Sequence, residues 1–133
     1  MNTQDLREHL GGTWTARPDG WWRPMELDRL RSADAGLKTG GARFVALTVR
    51  PDGALMRLAW HWDLAGTLLS LEAGLTPGAE IPSLVDIWPG VDWAEREARD
   101  YYAVAFSGRN DTPPLMLREG DAPGVLLRGK DGQ

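Results

Sequence analysis

The feature that most constrains this sequence is a run of three strand-like segments in its middle, separated by turns. Residues 44–50 are apolar and β-branched, while residues 54–64 and 67–75 alternate apolar and polar side chains. Alternation with a period of two is typical of strands that have one face in the core and the other in water. Pro51-Asp52-Gly53 and Ala65-Gly66 have the composition of tight turns. We therefore predict a three-stranded antiparallel meander.

The second strand of the meander carries a histidine and two tryptophans that could have a functional role. Trp60 and Trp62 fall on its apolar side, so they are expected in the core. His61 falls on the opposite side and is expected to face solvent, without the serine and acid companions that nucleophilic catalysis requires. The chain has seven tryptophans, which raises a sugar-stacking surface as an alternative, but filling a small core is the simpler use of these rings.

A hairpin and a helix are predicted before the meander. Residues 14–22 surround a Pro-Asp-Gly turn and indicate a small β-hairpin. Pro24 suits the first position of a helix, where its missing N–H is not needed. Helical spacing then continues through Asp34 until Gly40-Gly41 ends it.

A last helix is predicted after the meander. Asp92 followed by Glu95 has the pattern of a capping box, and the helix is expected to run from Trp93 to about residue 103. With a short helix at residues 3–10, the order of elements is α-β-β-α-β-β-β-α. This order indicates an α+β fold, a two-layer sandwich with a mostly antiparallel mixed sheet.

Composition limits what such a domain can do. The chain has 133 residues with 15 basic and 19 acidic side chains, two histidines and no cysteine. Cysteine-ligated metals are thereby excluded, and with two histidines left we do not expect a bound transition metal. A net charge of −4 without a lysine or arginine cluster argues against nucleic acid. We predict one domain over residues 1–106 and an irregular tail over residues 107–133, either flexible or wrapped around a partner.

Two further expectations concern location. No uncharged stretch approaches the about 20 residues that a membrane-spanning helix needs, so direct membrane insertion is not expected. The first ten residues are charged and lack the pattern of a secretory signal, which predicts a cytoplasmic protein.

The predicted last helix is dense in charge: Glu95, Arg96, Glu97, Arg99 and Asp100 all lie within it. At about 100° per residue, Glu97 alone falls in the apolar sector of the helix, and the other four share one half of the helical wheel. Glu97 is therefore predicted to be buried with an ionic partner, and the other four to face water. A small hydrolase that uses Glu97 with a second carboxylate is the catalytic alternative; a structural ion pair is the favoured interpretation.

Residues 81–100 resemble the signature region of the C-subunit family of NADH-quinone oxidoreductase, the 30 kDa-subunit type of complex I. The core of the signature, Glu-Arg-Glu-x-x-Asp, stands at residues 95–100, and a Pro-Ser-x-x-x-x-Trp-Pro lead-in stands at residues 82–89. The chain departs from the family pattern in three places. Ala103 replaces a glycine, Arg109 stands at the histidine of a Gly-His-Pro motif, and the terminal motif is reduced at residues 123–131.

The resemblance implies a non-catalytic scaffold subunit of the hydrophilic arm of a proton-translocating NADH:quinone oxidoreductase. Its partners would be the large quinone-site subunit and neighbouring iron–sulfur subunits, and it would lie peripherally on the cytoplasmic face of the membrane without a cofactor of its own. The implied alternative is the equivalent subunit of an energy-converting nickel–iron hydrogenase or a formate hydrogenlyase, docked to the hydrogenase large subunit. The signature and docking residues carried over from the family are Glu95, Arg96, Glu97, Asp100 and Arg109.

Overall fold

The fold combines three helices with a five-stranded sheet and a separate pair of short strands. A computed structural model describes residues 2–109, 114–117 and 121–127. The helices are α1 (Thr3–Leu10), α2 (Leu30–Thr39) and α3 (Val91–Tyr102). The strands are β1 (Thr15–Arg17), β2 (Gly20–Pro24), β3 (Arg43–Asp52), β4 (Leu55–Leu64), β5 (Thr67–Leu75), β6 (Glu80–Pro82) and β7 (Ala105–Ser107). Asn110 and residues 128–133, which belong to the predicted tail, lie outside the described residues.

The sheet has the order β1-β2-β5-β4-β3. Its strands pair antiparallel except β2 and β5, which run parallel. The predicted meander is therefore confirmed as β3, β4 and β5, and the α+β class with a mostly antiparallel mixed sheet is confirmed with it. A second parallel pair, between β6 and β7, was not predicted.

The core lies between one face of the sheet and the helices. Alternate residues of β4 and β5 meet across the ladder, for example Trp60 opposite Leu71 and Trp62 opposite Leu69, and all four are fully buried. Leu37 of α2 belongs to the same hydrophobic cluster. The prediction that both tryptophans lie in the core is confirmed. None of the helices in the described part of the chain is long and apolar enough to cross a membrane.

The prediction that Pro24 begins a helix is wrong. Pro24 is the last residue of β2, opposite Glu72 of β5, and the N–H of Met25 donates to the Glu72 carbonyl. The chain remains extended here because it is still pairing with β5. Proline is tolerated at this point because the pairing of β1 with β2 extends only to Trp22. No backbone N–H of residue 24 is therefore needed to bond to β1. Helix α2 begins at Leu30, after a 3-10 turn at Leu27–Arg29.

The prediction that His61 faces solvent is also wrong. His61 is 8% exposed and lies against the edge of the Trp22 ring, 5.4 Å between ring centroids. Its Nδ1 is 2.7 Å from the Ser70 hydroxyl oxygen, and its Nε2 is 3.0 Å from that of Thr48. Burial lowers the pKa of His61, although the charge of Asp19 opposes the effect. The second face of the sheet is therefore partly covered.

Candidate functional site

Helix α3 is turned so that much of its charge points inward. Glu95 and Asp100 are fully buried, whereas Glu97 is exposed and Trp93 is 64% exposed. The prediction that Glu97 is buried and the other charges face water is wrong. The helical wheel failed because other segments of the chain bring hydrogen-bond donors to the charged half, and a buried carboxylate is tolerated when its oxygens are hydrogen-bonded.

Glu95 is held by the lead-in that precedes α3. Its Oε1 accepts a hydrogen bond from the Ser83 hydroxyl at 2.6 Å, and its Oε2 accepts one from the backbone N–H of Leu84 at 2.9 Å. The N–H of Val85 donates in turn to the Ser83 oxygen at 3.3 Å. The serine of the Pro-Ser lead-in and the first glutamate of the signature are therefore one structural unit.

Arg109 closes the same network from the far side. Its Nη1 is 3.0 Å from Glu95 Oε1 and its Nη2 is 2.6 Å from Asp92 Oδ1. Burial would lower the pKa of Arg109, but its hydrogen bonds to the two carboxylates raise it above the ordinary value. Asp92 also lies 3.5 Å from Arg96, one turn along the helix. Asp92 is thus an ionic partner of Arg109.

The predicted capping box is accordingly wrong. Helix α3 begins at Val91 with Gly90 at the cap position and no side-chain cap hydrogen bond. Asp92 and Glu95 have the spacing of a capping box, but their carboxylates bind Arg109 and Ser83 instead. A guanidinium brought from outside the helix competes successfully because it carries a full positive charge and forms an ion pair with the carboxylate, whereas a backbone N–H group is neutral.

Asp100 anchors the chain that follows β7. Its Oδ2 accepts from the backbone N–H groups of Leu115, Met116 and Leu117 at 2.9, 2.7 and 3.2 Å. Its Oδ1 accepts from Arg99 at 2.9 Å. Burial would raise the pKa of Asp100, but the three backbone N–H groups and the Arg99 guanidinium hold it below its ordinary value. Asp100 is therefore an ionised anchor for residues 115–117.

Two further contacts hold the chain that follows β7 against α3. Arg96 donates through Nη2 to the Pro114 carbonyl at 2.8 Å, and the N–H of Gly124 donates to the Asp100 carbonyl at 2.8 Å. Gly124 has a φ of +89°, and a Cβ added there would lie 3.2 Å from the Cβ of Ala103. The positive φ favours glycine at this position, and an added Cβ would have to displace Ala103 by a few tenths of an ångström.

Helix α2 holds the lead-in from the other side. The Arg31 guanidinium binds both carboxylate oxygens of Asp86 and also donates to the Ser83 carbonyl at 2.6 Å. Lys38 donates to the Ile87 carbonyl. The pKa of Asp86 is lowered to about 2, chiefly by the hydrogen bond from Arg31. The lead-in is thus clamped between α2 and α3.

The structure brings together four of the five signature residues, in two adjoining clusters. Glu95 and Arg109 share one cluster with Ser83, and Asp100 anchors residues 115–117 in the other. Arg96 touches both through Asp92 and Pro114. Glu97 stands apart from them. We name the two clusters with Arg96 the α3 network.

The side chains of the α3 network bind other parts of the chain. Both carboxylate oxygens of Glu95 and of Asp100 already accept hydrogen bonds, and neither residue is open to solvent. The exposed Glu97 borders a cleft of about 550 Å³, where it is the one carboxylate among the described lining residues. The second carboxylate that the hydrolase alternative requires is not among them. Within the described residues, no three histidine or carboxylate side chains gather to form a metal site.

Sequence reasoning missed two buried polar features. The pairing of His61 with Ser70 follows from the Ala65-Gly66 turn, which fixes the register of β4 and β5. Asp34 lies on the apolar stripe of α2, fully buried, and neither carboxyl oxygen has a hydrogen-bond partner among the described residues. Burial raises the pKa of Asp34 to about 8; nearby Arg31 opposes this and Glu95 adds to it. The helical spacing of Asp34 with its leucine neighbours was the available signal.

The fold and the α3 network define a small α+β protein in which buried ion pairs fix the last helix and the segment after it. Residues 50–129 match the family described as "Respiratory-chain NADH dehydrogenase, 30 Kd subunit". The chain belongs to this family, which confirms the resemblance of the signature region.

Individual relatives agree with the family. The C subunit of NADH-quinone oxidoreductase from Rhodopseudomonas palustris (strain BisB18) is 43% identical over 65 residues, which cover 47% of this chain and 33% of the relative. The same subunit from Burkholderia multivorans (strain ATCC 17616 / 249) is 37% identical over 80 residues, or 60% of this chain and 36% of the relative. The matched part of the chain thus spans about a third of the length of these curated relatives.

A solved structure shares the fold. A chain in the structure of the membrane-bound sulfane sulfur reductase, an archaeal respiratory membrane complex, superposes with a TM-score of 0.76. The superposition covers 98% of this chain and 82% of that chain at 18% sequence identity. At this identity the likeness establishes the architecture.

Proposed function

We propose that this chain is a non-catalytic subunit of the hydrophilic arm of a proton-translocating NADH:quinone oxidoreductase. There it docks the large subunit that shapes the quinone site and lies beside iron–sulfur subunits, on the cytoplasmic face of the membrane. The family to which the chain belongs, and the names of its relatives, support this proposal.

The observation that carries the docking role is the distribution of exposed apolar side chains. Among the described residues, the large apolar side chains that remain exposed are Val45, Trp93, Met116, Leu126 and Leu127. Three of these five lie after residue 107, in segments that the α3 network holds against the domain. Exposed apolar side chains on an anchored segment are typical of an interface. Residues 107–133 are therefore the part of the chain that we expect to wrap the partner.

The signature residues then divide into two roles. Glu95, Arg96, Asp100 and Arg109 act by placing α3 and residues 114–117, since the two carboxylates are buried and cannot touch a partner directly. Glu97 is exposed and is free to meet a neighbouring subunit. This division explains how a motif rich in acidic and basic residues serves a subunit without chemistry of its own.

The second candidate is the equivalent subunit of an energy-converting nickel–iron hydrogenase or a formate hydrogenlyase. The observation that favours it is Arg109, which stands where the family pattern has histidine and is tied to Asp92 and Glu95. The substitution of arginine for histidine at position 109 lies within the α3 network, which positions the docking segment. A substitution there would be consistent with a different partner surface.

Affinity purification of a tagged copy from its native membranes tests the proposal, with the co-purifying proteins identified by mass spectrometry. Recovery of NADH-oxidising and quinone-site subunits is the expected result. Recovery of hydrogenase large and small subunits would select the second candidate, and recovery of the chain alone would contradict both.

A further inference from the structure

Strand β3 is an open edge of the sheet, and it lies beside the outward face of α3. β3 is the last strand in the sheet order, and the described residues pair with it only through β4. Two clefts, of about 550 and about 330 Å³, run between β3 and α3 and share Leu47, Ala94 and Glu97 in their walls. We name this continuous depression the β3–α3 groove.

The groove exposes apolar surface on both walls. Trp93 on the helix is 64% exposed and Val45 on the strand is 46% exposed. Phe44, Leu47 and Val49 pack against the core, yet they are only partly buried. Apart from Glu97, the charged side chains of α3 are engaged with other parts of the chain or with each other, and Trp93 is left facing outward. Such a surface is expected to be covered by another polypeptide.

The open edge identifies the kind of polypeptide. An unpaired strand edge presents backbone N–H and C=O groups that an extended segment can complete as one more strand. Glu97 on the opposite wall is the one carboxylate among the described lining residues and forms no ion pair or hydrogen bond with the described residues, whereas Arg43, on the strand wall, is paired with Asp63. An extended segment with apolar residues and a basic residue facing α3 complements both walls.

A second copy of this chain is a poorer occupant because it brings no cation to Glu97. Antiparallel pairing of two β3 strands about the midpoint of Arg43–Asp52 would place Thr48 and Ala46 of one copy opposite Leu47 and Val49 of the other. Residues directly opposite each other share a face of the sheet, so these side chains would face α3, and neither is basic.

We propose that the β3–α3 groove binds an extended segment of a neighbouring subunit, added as a strand to β3, with a basic side chain facing Glu97. This inference rests on the proposed function in one respect, since the segment is supplied by the same membrane complex. It assigns a second interface on the sheet edge, next to the chain that follows residues 114–117, whose Leu126 lines one of the two clefts.

Single cysteines test the inference cleanly because the chain has none of its own. Val45→Cys reports on the groove, and Asp28→Cys, at an exposed position before α2, is the matched control. Each tagged variant is purified in its complex, and its rate of reaction with a maleimide is compared with that of the same full-length variant purified alone. A benzophenone maleimide at position 45 then identifies the polypeptide in the groove.

The inference predicts that Val45→Cys reacts at least about tenfold more slowly in the complex, as expected for a residue enclosed in an interface, while Asp28→Cys is unchanged. The cross-link should map to one short segment of a neighbouring subunit. Glu97→Arg should reduce co-purification of that subunit several-fold, with Glu26→Arg as the charge-reversal control at another exposed site.

Two results would overturn the inference while leaving the proposed function intact. One is co-purification of the respiratory subunits with position 45 as reactive as position 28. The other is a cross-link from position 45 to a second copy of this chain. If no respiratory subunit co-purifies at all, that result would instead contradict the proposed function.

Discussion

The Ser83 hydroxyl oxygen lies 2.6 Å from a carboxylate oxygen of Glu95, although the two residues are twelve positions apart along the chain. The serine hydroxyl donates to a carboxylate that is fully buried, and the next backbone N–H, of Leu84, completes the cradle. The lead-in and the signature helix therefore depend on each other. This contact explains why a Pro-Ser segment precedes the acidic helix at this distance.

Replacing the buried glutamate is predicted to cost far more stability than replacing the exposed one. Glu95→Ala leaves Arg109 and Ser83 without their buried partner, so we expect the free energy of unfolding to fall by roughly 3–5 kcal/mol. Glu97→Ala, on the same helix but exposed, should change it by less than about 0.5 kcal/mol. Urea denaturation measures both. Equal effects of the two substitutions would contradict the burial of Glu95.

Ala103 ends α3 in a left-handed conformation, with φ of +56°. This is the position where the family pattern has glycine, and an L side chain is strained in that region. We predict that Ala103→Gly raises the free energy of unfolding by about 1 kcal/mol. Ala94→Gly, inside the same helix, should lower it by about 1 kcal/mol. A loss of stability in Ala103→Gly, measured by thermal unfolding, would argue against strain at this cap.

Asp34 is predicted to make stability fall as the pH rises. Its pKa is raised by burial from 3.8 to about 8, so between these values the folded protein holds one proton more than the unfolded chain. Each pH unit in that window then removes roughly 1.4 kcal/mol of stability from this group alone.

The Asp34→Asn variant isolates this contribution. Its free energy of unfolding, followed by urea titration from pH 4 to pH 9, should decline less steeply than that of the parent chain. The difference between the two slopes should vanish above about pH 8, where Asp34 is ionised in both states. Parallel profiles across the whole range would show that Asp34 is not protonated in the folded protein.

Local patterns predicted the sheet well because apolar and polar side chains alternate along residues 55–75. β5 begins and ends at the predicted residues, and β4 begins one residue later than expected. The parallel pair of β6 and β7 was not predictable in the same way. Each strand has three residues, and the partners are more than twenty residues apart along the chain.

The orientation of α3 could not be read from the helix alone. A helical wheel ranks Glu95 and Asp100 as polar, but their burial is decided by donors from Ser83, Arg109 and residues 115–117. The resemblance singled out Glu95, Arg96, Glu97, Asp100 and Arg109 as docking positions without indicating which of these side chains point inward. The contact of His61 with Ser70, by contrast, follows from the position of the turn between β4 and β5, which sets the register of the two strands.

Asp100 offers the most direct test of the central claim, that buried charges of α3 hold a docking segment. In Asp100→Asn, the amide group lacks the charge that holds the three backbone N–H groups, so Leu115–Leu117 should separate from the helix. Hydrogen exchange should quicken at these amides while those of β4 and β5 stay protected. Asp28→Asn, at an exposed site, is the matched control.

The decisive measurement is the yield of partner subunits that co-purify with tagged Asp100→Asn from native membranes. The account predicts a loss of about tenfold relative to the parent chain and to Asp28→Asn, as for removal of an interface hot spot, with the variant still folded. Co-purification at the parent level, together with released Leu115–Leu117 amides, would contradict the claim that this anchored segment docks the complex.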